Sequence, residues 1–387
     1  MLATWMEGAT ALMAVAGIVY MALALWGARN FARSIRRQTA DPFAPGVTIL
    51  KPVKGVDQRM YAGFVSHCQQ QYAGSYEIVF GVSSMDDPAV AEIHRLIAEF
   101  PSVAIRLVHC TEVLGTSGKV SNLVQMLRHA SYEHVLINDS DILVSPRYLT
   151  RVMQGFVTPG AKPVGMVTAP YIGHTGERPG LWSRLEALGI STDFIAGVLT
   201  ARQLEGGIHF GLGSTLAMSR TALTAAGGLE PLVEALADDY EMGARISAAG
   251  FRVELSSEVV ETTVPAYSFR GFAEHQLRWS RTTRDSRKLG YLGLGITYCV
   301  PWALAACIAS GFSLEGFSLL AIALLARVAV ALTVGVGILG DGQVLRDLWL
   351  LPVRDLFGLL FWAWSYAGDT IVWRGERFHL RDGRLYR

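Results

Sequence analysis

Three short acidic clusters interrupt a chain otherwise poor in charge: Asp86-Asp87-Pro88, Asp139-Ser140-Asp141 and Asp238-Asp239. The middle one follows an apolar run, His134 to Ile137, within HVLINDSDILV. If the strand continues through it, Asp139 and Asp141 point to the same side, because side chains alternate along an extended chain. Carboxylates held that close repel each other unless a positive charge sits between them. A hard divalent cation, Mg2+ or Mn2+, meets that need and often combines few protein carboxylates with phosphate oxygens of a substrate. A lone Asp pair at a helix start is ordinarily an N-cap, and that reading stands beside the chemical one. Three clusters, two of them after strands of one sheet, point instead to a shared site.

Two basic segments could serve that site. Gly115-Thr-Ser-Gly118-Lys119-Val120 looks like the end of a phosphate-binding P-loop. That motif needs glycine where this chain has Val113, and Ser or Thr where it has Val120, so the P-loop reading fails. A lysine at a helix start beside a nucleotide remains compatible with the pattern. His275-Gln-Leu-Arg278-Trp279 is weak alone; its arginine can neutralise a phosphate and its tryptophan can pack on a sugar or on a membrane surface.

The elements around these residues alternate. Strand-like runs at Val47–Leu50, Tyr76–Val82, Val103–Val108, His134–Ile137 and Pro163–Ala169 are interleaved with amphipathic runs at Gln58–Gln70, Ala89–Glu99, Val120–His129 and Arg147–Gly155. This predicts an α/β domain with a mostly parallel sheet and helices on both faces. Such sheets bind ligands at the carboxyl ends of their strands, which is where Asp87, Asp139 and Asp141 fall.

The chain is 51% hydrophobic and only 17% charged, against about 25% charged in soluble domains. A net charge of +1 offers no broad basic field for nucleic acid. Four cysteines form no CxxC or Cys/His pattern and read as reduced thiols, buried or lipid-facing. Residues 8–28 are apolar and long enough to cross a hydrocarbon core of about 30 Å. Arg29, Arg33, Arg36 and Arg37 follow them, so the positive-inside rule predicts an anchor (1–28) with the next domain (42–267) on the cytoplasmic side. Residues 268–290 read as a basic interfacial helix. Residues 291–339 read as a transmembrane hairpin with spans at 291–312 and 317–339. Arg327 lies mid-span, facing either a partner helix or a water pocket, or else contacting a lipid headgroup or acceptor. The apolar stretch 356–373, within 340–387, precedes Arg374, Arg377, Arg381, Arg384 and Arg387. It is expected to be re-entrant or interfacial, with a cytoplasmic tail. Residues 181–204 read as a helix lying on the sheet or on the membrane surface.

Taken in order, Lys51-Pro-Val-Lys-Gly55, Asp86-Asp-Pro-Ala89, Gly118-Lys-Val-Ser-Asn-Leu123, Asp139-Ser140, Ala237-Asp-Asp-Tyr240, Arg278-Trp279 and the terminal WRGERFHLRDG resemble the ceramide glucosyltransferase family (glycosyltransferase family 21). These are membrane-anchored inverting enzymes with a nucleotide-sugar-binding domain of the GT-A type. LWSRLEAL, HFGLGSTLAMSR and HQLRWSRT are similar to its bacterial branch associated with hopanoid biosynthesis. Those enzymes are taken to add N-acetylglucosamine to a polyhydroxylated hopanoid.

The resemblance implies a UDP-sugar donor, a membrane lipid acceptor (ceramide or hopanoid polyol) and a multi-pass location in the bacterial inner membrane. It also implies roles. Asp87 would contact the uridine. Lys119 would lie by the base or diphosphate. Asp139 and Asp141 would hold metal and diphosphate, and Asp239 would be the catalytic base. Arg278 and Trp279 would close over donor and acceptor, with Asp238 and His275 as accessory residues. His275 stands where the wider superfamily has Gln or Arg. Two rivals remain: a processive polysaccharide synthase, which needs more spans for a polymer channel, and a non-catalytic nucleotide-sugar-binding membrane protein.

Overall fold

The computed structural model of the chain describes residues 2–37, 43–373, 376–381 and 383–386. Arg374 and Arg387 of the basic tail lie outside the described residues. The chain divides into two compact units, Arg37–His174 with Glu205–Thr263, and Met1–Arg36 with Thr175–Leu204 and Val264–Arg387. The continuous 42–267 domain expected from the sequence is thus interrupted, because residues 175–204 belong with the apolar helices.

The first unit is built on seven strands: β1 (Val47–Pro52), β2 (Tyr76–Val82), β3 (Ala104–His109), β4 (His134–Ile137), β5 (Val164–Thr168), and, past a short β6 (Tyr171–Thr175) outside this sheet, β7 (Leu216–Ser219) and β8 (Arg252–Leu255). The order is β3-β2-β1-β4-β7-β5-β8, and within it β7 alone runs against its neighbours. Strands β1, β2 and β4 are buried almost throughout, which explains their uninterrupted apolar runs: a central parallel strand faces protein on both sides. Helices Met60–Cys68, Ala89–Glu99 and Gly118–Leu127 make the crossovers between them. Ser117 caps the last of these through the amide of Val120. The β1/β2 and β1/β4 registers set the carboxyl ends of all three strands side by side.

One pairing limits the sequence reading. Strand β4 ends at Ile137, and residues 140–141 form a turn. Alternation therefore stops before the acidic pair, and the expected same-side placement of Asp139 and Asp141 does not follow. Asn138 holds the turn in place. It is fully buried and donates to the Ser214 carbonyl (2.6 Å) and the Tyr148 hydroxyl (3.0 Å), tying the end of β4 to the approach to β7.

The second unit contains helix Leu2–Arg37, with a candidate span at Trp5–Arg36, and a candidate span at Leu314–Ile338. Helices Lys288–Thr297 and Cys299–Ala309 bend by 52° and can count as a third. The straight span expected at 291–312 is broken there. Pro301 lacks an amide hydrogen, and its ring clashes with the carbonyl four residues back, at Thr297. Helix Leu351–Ser365 has 15 residues, about 22 Å at 1.5 Å per residue, short of a hydrocarbon core of about 30 Å. Thr370–Trp373 is not a continuation of it but the first strand of an antiparallel meander with Glu376–Arg381 and Arg384–Tyr386.

Residues 181–204 form helix Leu181–Gly189, a π-helical turn Ile190–Phe194 and helix Ile195–Leu204. They pack on the membrane helices. A Cβ on Gly27 would come within 2.6 Å of the Leu199 carbonyl, so that glycine permits the close approach of two helix backbones. Asn30 donates to Gln203 at 2.8 Å. Helix Phe269–Ser286, expected to lie at the interface, turns Phe272, Gln276 and Arg281 into the protein. Phe272 packs with Leu185, Leu188, Leu351 and Phe361.

Candidate active site

The carboxyl ends of β1, β2 and β4 each deliver charged groups. From β1 comes Lys51, with no exposed surface, donating to the main-chain carbonyl of Asp139 at 3.0 Å. Burial pushes its ammonium down to about 7, against the pull of Asp141 and Asp139. Beyond β2, both carboxylate oxygens of Asp87 accept from the Gly55 amide at 3.0 Å, and one also accepts from the Ala89 amide at 2.9 Å. Asp87 thus closes the start of helix Ala89–Glu99 and fixes the loop after β1, in which Gly55 has φ +73°.

Lys119 is the centre of the arrangement. Its Nζ lies 2.9 Å from Asp139 Oδ1 and 3.1 Å from Asp238 Oδ2. Burial opposes its charge, but Asp139, Asp238 and Asp239 outweigh it and hold the ammonium above its usual range. Asp141 is turned away from this bridge. Its Oδ2 accepts from the Thr262 hydroxyl (2.5 Å) and the Thr263 amide (3.1 Å). Burial, then the neighbouring Asp139, keep its carboxyl above the ordinary range.

Asp239 stands in the first turn of helix Asp238–Ala248. Its Oδ1 accepts from the Tyr240 amide at 2.8 Å. Burial first, and Asp238 next, raise its carboxyl, while Lys119 pulls the other way. Gly211 and Gly213 make room for it. A Cβ at Gly213 would sit 3.0 Å from Asp239 Oδ2, and one at Gly211 would sit 2.8 Å from the Asp239 carbonyl.

The remaining expected site residues lie on helix Phe269–Ser286 of the second unit. His275 is placed between Tyr267 and Trp279, with ring centroids at 5.5 and 5.2 Å. Trp279 also meets Phe194 at 5.6 Å. Glu186 anchors this helix from Leu181–Gly189. It is 2% exposed, accepts from Gln276 Nε2 at 2.6 Å and pairs with His275 Nδ1 at 3.0 Å. Burial would raise its carboxyl, but His275 and Gln276 hold it below the usual range.

The sequence model of Glycosyl transferase family 21 matches residues 9–386. The chain belongs to that family. Among its relatives is ceramide glucosyltransferase 1 of Caenorhabditis elegans, 27% identical over 239 residues, which cover 62% of this chain and 50% of the relative. The ceramide glucosyltransferase of the yeast Komagataella phaffii is 29% identical over 156 residues, covering 38% of this chain and 30% of the relative. The family 21 chain thus spans about half the length, or less, of these curated relatives. A solved structure, a mannosyltransferase from Pyrobaculum calidifontis in complex with GDP-Man and Mn2+, superposes with a TM-score of 0.51 at 19% identity, covering 92% of this chain and 99% of that one. The family 21 chain therefore has a GT-A-like fold, and its apolar helices make it a membrane protein.

Three contributors escaped the sequence reading. Lys51 appeared only inside a motif, because a strand-end lysine looks like a surface residue until the register shows it buried. Glu186 lies in a leucine-rich run where a lone charge suggests the solvent face. Gly211 and Gly213 carried a signal, two glycines two residues apart before a strand, that marks a close backbone approach.

Proposed function

We propose that this family 21 protein is an inverting hexosyltransferase that moves one sugar from a UDP-sugar to a lipid hydroxyl. The observation that carries the reading is the Lys119 ammonium bridging Asp139 and Asp238 beside Asp239. A lysine has three N–H donors; two are directed at these carboxylates, which leaves one for a diphosphate oxygen. The names of the relatives favour glucose as the sugar and ceramide as the acceptor. The similarity of HQLRWSRT and HFGLGSTLAMSR to the hopanoid-associated branch favours N-acetylglucosamine and a hopanoid polyol.

In the reaction, the acceptor oxygen bonds to the anomeric carbon as the bond from that carbon to UDP breaks on the opposite face. The hydroxyl proton passes to Asp239 as the new bond forms, because a carboxylate cannot remove it beforehand. A base raised toward neutrality suits that role. UDP leaves with the bonding pair, and Lys119 meets the charge it gains. In this reading Asp87 acts by fixing the loop after β1 against the uridine.

Of the expected metal pair, Asp139 lies at the Lys119 bridge and Asp141 is turned to Thr262 and Thr263, so a divalent cation would be held by Asp139, with Asp141 joining it only when its side chain turns. Among the described residues no three His, Cys, Asp or Glu side chains gather for a metal. Mg2+ or Mn2+ can bind through one or two carboxylates when phosphates supply the rest. Burial is the first cause that keeps the Asp141 carboxyl raised and Asp139 the second; an ion there would offset both. When bound, the ion would supply charge neutralisation at the diphosphate. The arginines that follow the first span favour, by the positive-inside rule, a catalytic unit on the cytoplasmic side, and the similarity to the hopanoid-associated branch favours a bacterial inner membrane.

The test is mass spectrometry of products from the purified protein, given UDP-glucose or UDP-N-acetylglucosamine with ceramide or a bacteriohopane polyol, with and without EDTA. A monoglycosylated lipid formed only with metal supports the reading. A polymer, or UDP-sugar binding with no transfer to any lipid, rejects it in favour of the two rivals.

A further inference from the structure

Arg327 is 2% exposed in the middle of the candidate span Leu314–Ile338. A guanidinium there is expensive to bury and by default marks function. It is paired with Asp193 and with Asp355, whose oxygens lie 2.9 and 3.1 Å from its Nε. It also donates to the Thr192 hydroxyl at 3.0 Å. Arg354 adds a second positive charge, with Nε 3.3 Å from Asp193 Oδ2, so the four ionised groups sum to zero.

A set that served structure alone would close its hydrogen bonds. This one does not. Asp193 Oδ2 and Arg354 Nε face each other at 3.3 Å as an ion pair without hydrogen-bond geometry, Arg354 Nη1 is buried with no hydrogen-bond partner, and among the described residues the Tyr298 hydroxyl makes no hydrogen bond. Thr192 and Asp193 stand in the π-helical turn Ile190–Phe194, a geometry that recurs at functional sites. Between these groups lies a cavity of about 30 Å³, room for one or two water-sized groups. Its polar wall combines the charged Asp193, Arg327 and Asp355 with hydroxyl-bearing Tyr20, Thr192, Thr297 and Tyr298, and its apolar wall includes Met21, Ala196, Leu294 and Val330.

We infer that this cavity binds a hydroxyl of the acceptor lipid, an inference that rests on the lipid-hydroxyl reading above. The charges select the class. With Arg354 held against Asp193 the set is neutral, so it gives a charged phosphate headgroup no net attraction. A neutral hydroxyl can donate to Asp193 Oδ2 and accept from Tyr298, while the adjoining carbons meet the apolar wall. A hydroxyl engaged in both directions is held rather than reacting. The hydroxyl bound here is therefore a different one from the hydroxyl that takes the sugar.

The test uses the full chain in nanodiscs and measures binding of two lipid pairs: short-chain ceramide against its 3-deoxy analogue, and bacteriohopanetetrol against a hydroxyl-free hopane. The native protein is expected to prefer the hydroxylated member of at least one pair. Tyr298→Phe and Ala196→Leu should each weaken that member about tenfold and bring it near its partner. Equal binding within both pairs overturns the inference. So does unchanged lipid affinity in both variants, including the case where only the melting temperature falls, which would assign the cavity to buried water. A native protein that shows the preference yet transfers no sugar would reject the proposed function and leave the lipid site standing.

Discussion

The ammonium of Lys119 lies 2.9 Å from Oδ1 of Asp139. With Lys51 on the main-chain carbonyl of the same aspartate, it supplies the positive charge that the acidic turn after β4 requires, from within the protein itself.

Removing Lys119 should therefore weaken donor binding more than it harms folding. Lys119→Ala leaves Asp139 and Asp238 without their shared partner and takes one cation from the diphosphate. We expect the KM for UDP-sugar to rise at least tenfold, with a stability loss of about 1–3 kcal/mol. Steady-state kinetics and thermal melts check this. An unchanged KM would remove Lys119 from the donor site.

Asp239→Asn should abolish transfer, by about 10²–10⁴-fold, while UDP-sugar binding by calorimetry survives. The wild-type pH profile carries the same information. Asp239 acts deprotonated, and burial with Asp238 raises its carboxyl, so activity should decline on the acid side at a higher pH than the ordinary aspartate value of about 3.9 would give. Near-normal turnover of the Asn variant would reassign the base.

Gly213→Ala tests the room around that carboxylate. The new methyl would sit 3.0 Å from Asp239 Oδ2, tight enough to displace the side chain by a few tenths of an ångström. Misplacement of a reacting group is costly, so kcat should fall about tenfold or more with the melting temperature nearly unchanged. A parallel loss of stability would instead mean that the loop, not Asp239, had given way.

Glu186→Gln probes the helix that carries Arg278 and Trp279. Because the folded carboxyl is depressed, its stabilisation is present above the unfolded value of about 4.3 and is lost as pH falls through the lower folded one. Melting curves should show the variant destabilised by about 1–3 kcal/mol at pH 7, the gap closing below about pH 4. A gap that stayed constant down to pH 3 would contradict the ion pair with His275.

The sheet was legible because buried parallel strands write themselves as unbroken apolar runs: β2 and β4 have the bounds the sequence suggested. The site was legible where a cluster followed such a run, as at Asp87 and Asp139. It was not where the backbone left the strand, so Asp141 faces Thr262 and Thr263 rather than the Lys119 bridge. Residues 181–204 show a second limit. A leucine stripe at helical spacing is the same whether it meets a sheet or another membrane helix, and only tertiary contacts such as Gly27 against Leu199 decide.

Helix Phe269–Ser286 receives its last partners from the final stretch of the chain. Arg281 donates to the Thr370 carbonyl, Arg284 to the carbonyls of Ser365 and Gly368, and the Gly383 amide reaches Asp285. On a ribosome those residues emerge well after the helix they hold. The segment bearing His275, Arg278 and Trp279 can therefore reach its final packing only after that later stretch has been made. Protease resistance at Arg278 in the full-length protein, lost on truncation before Thr370, is the expected signature.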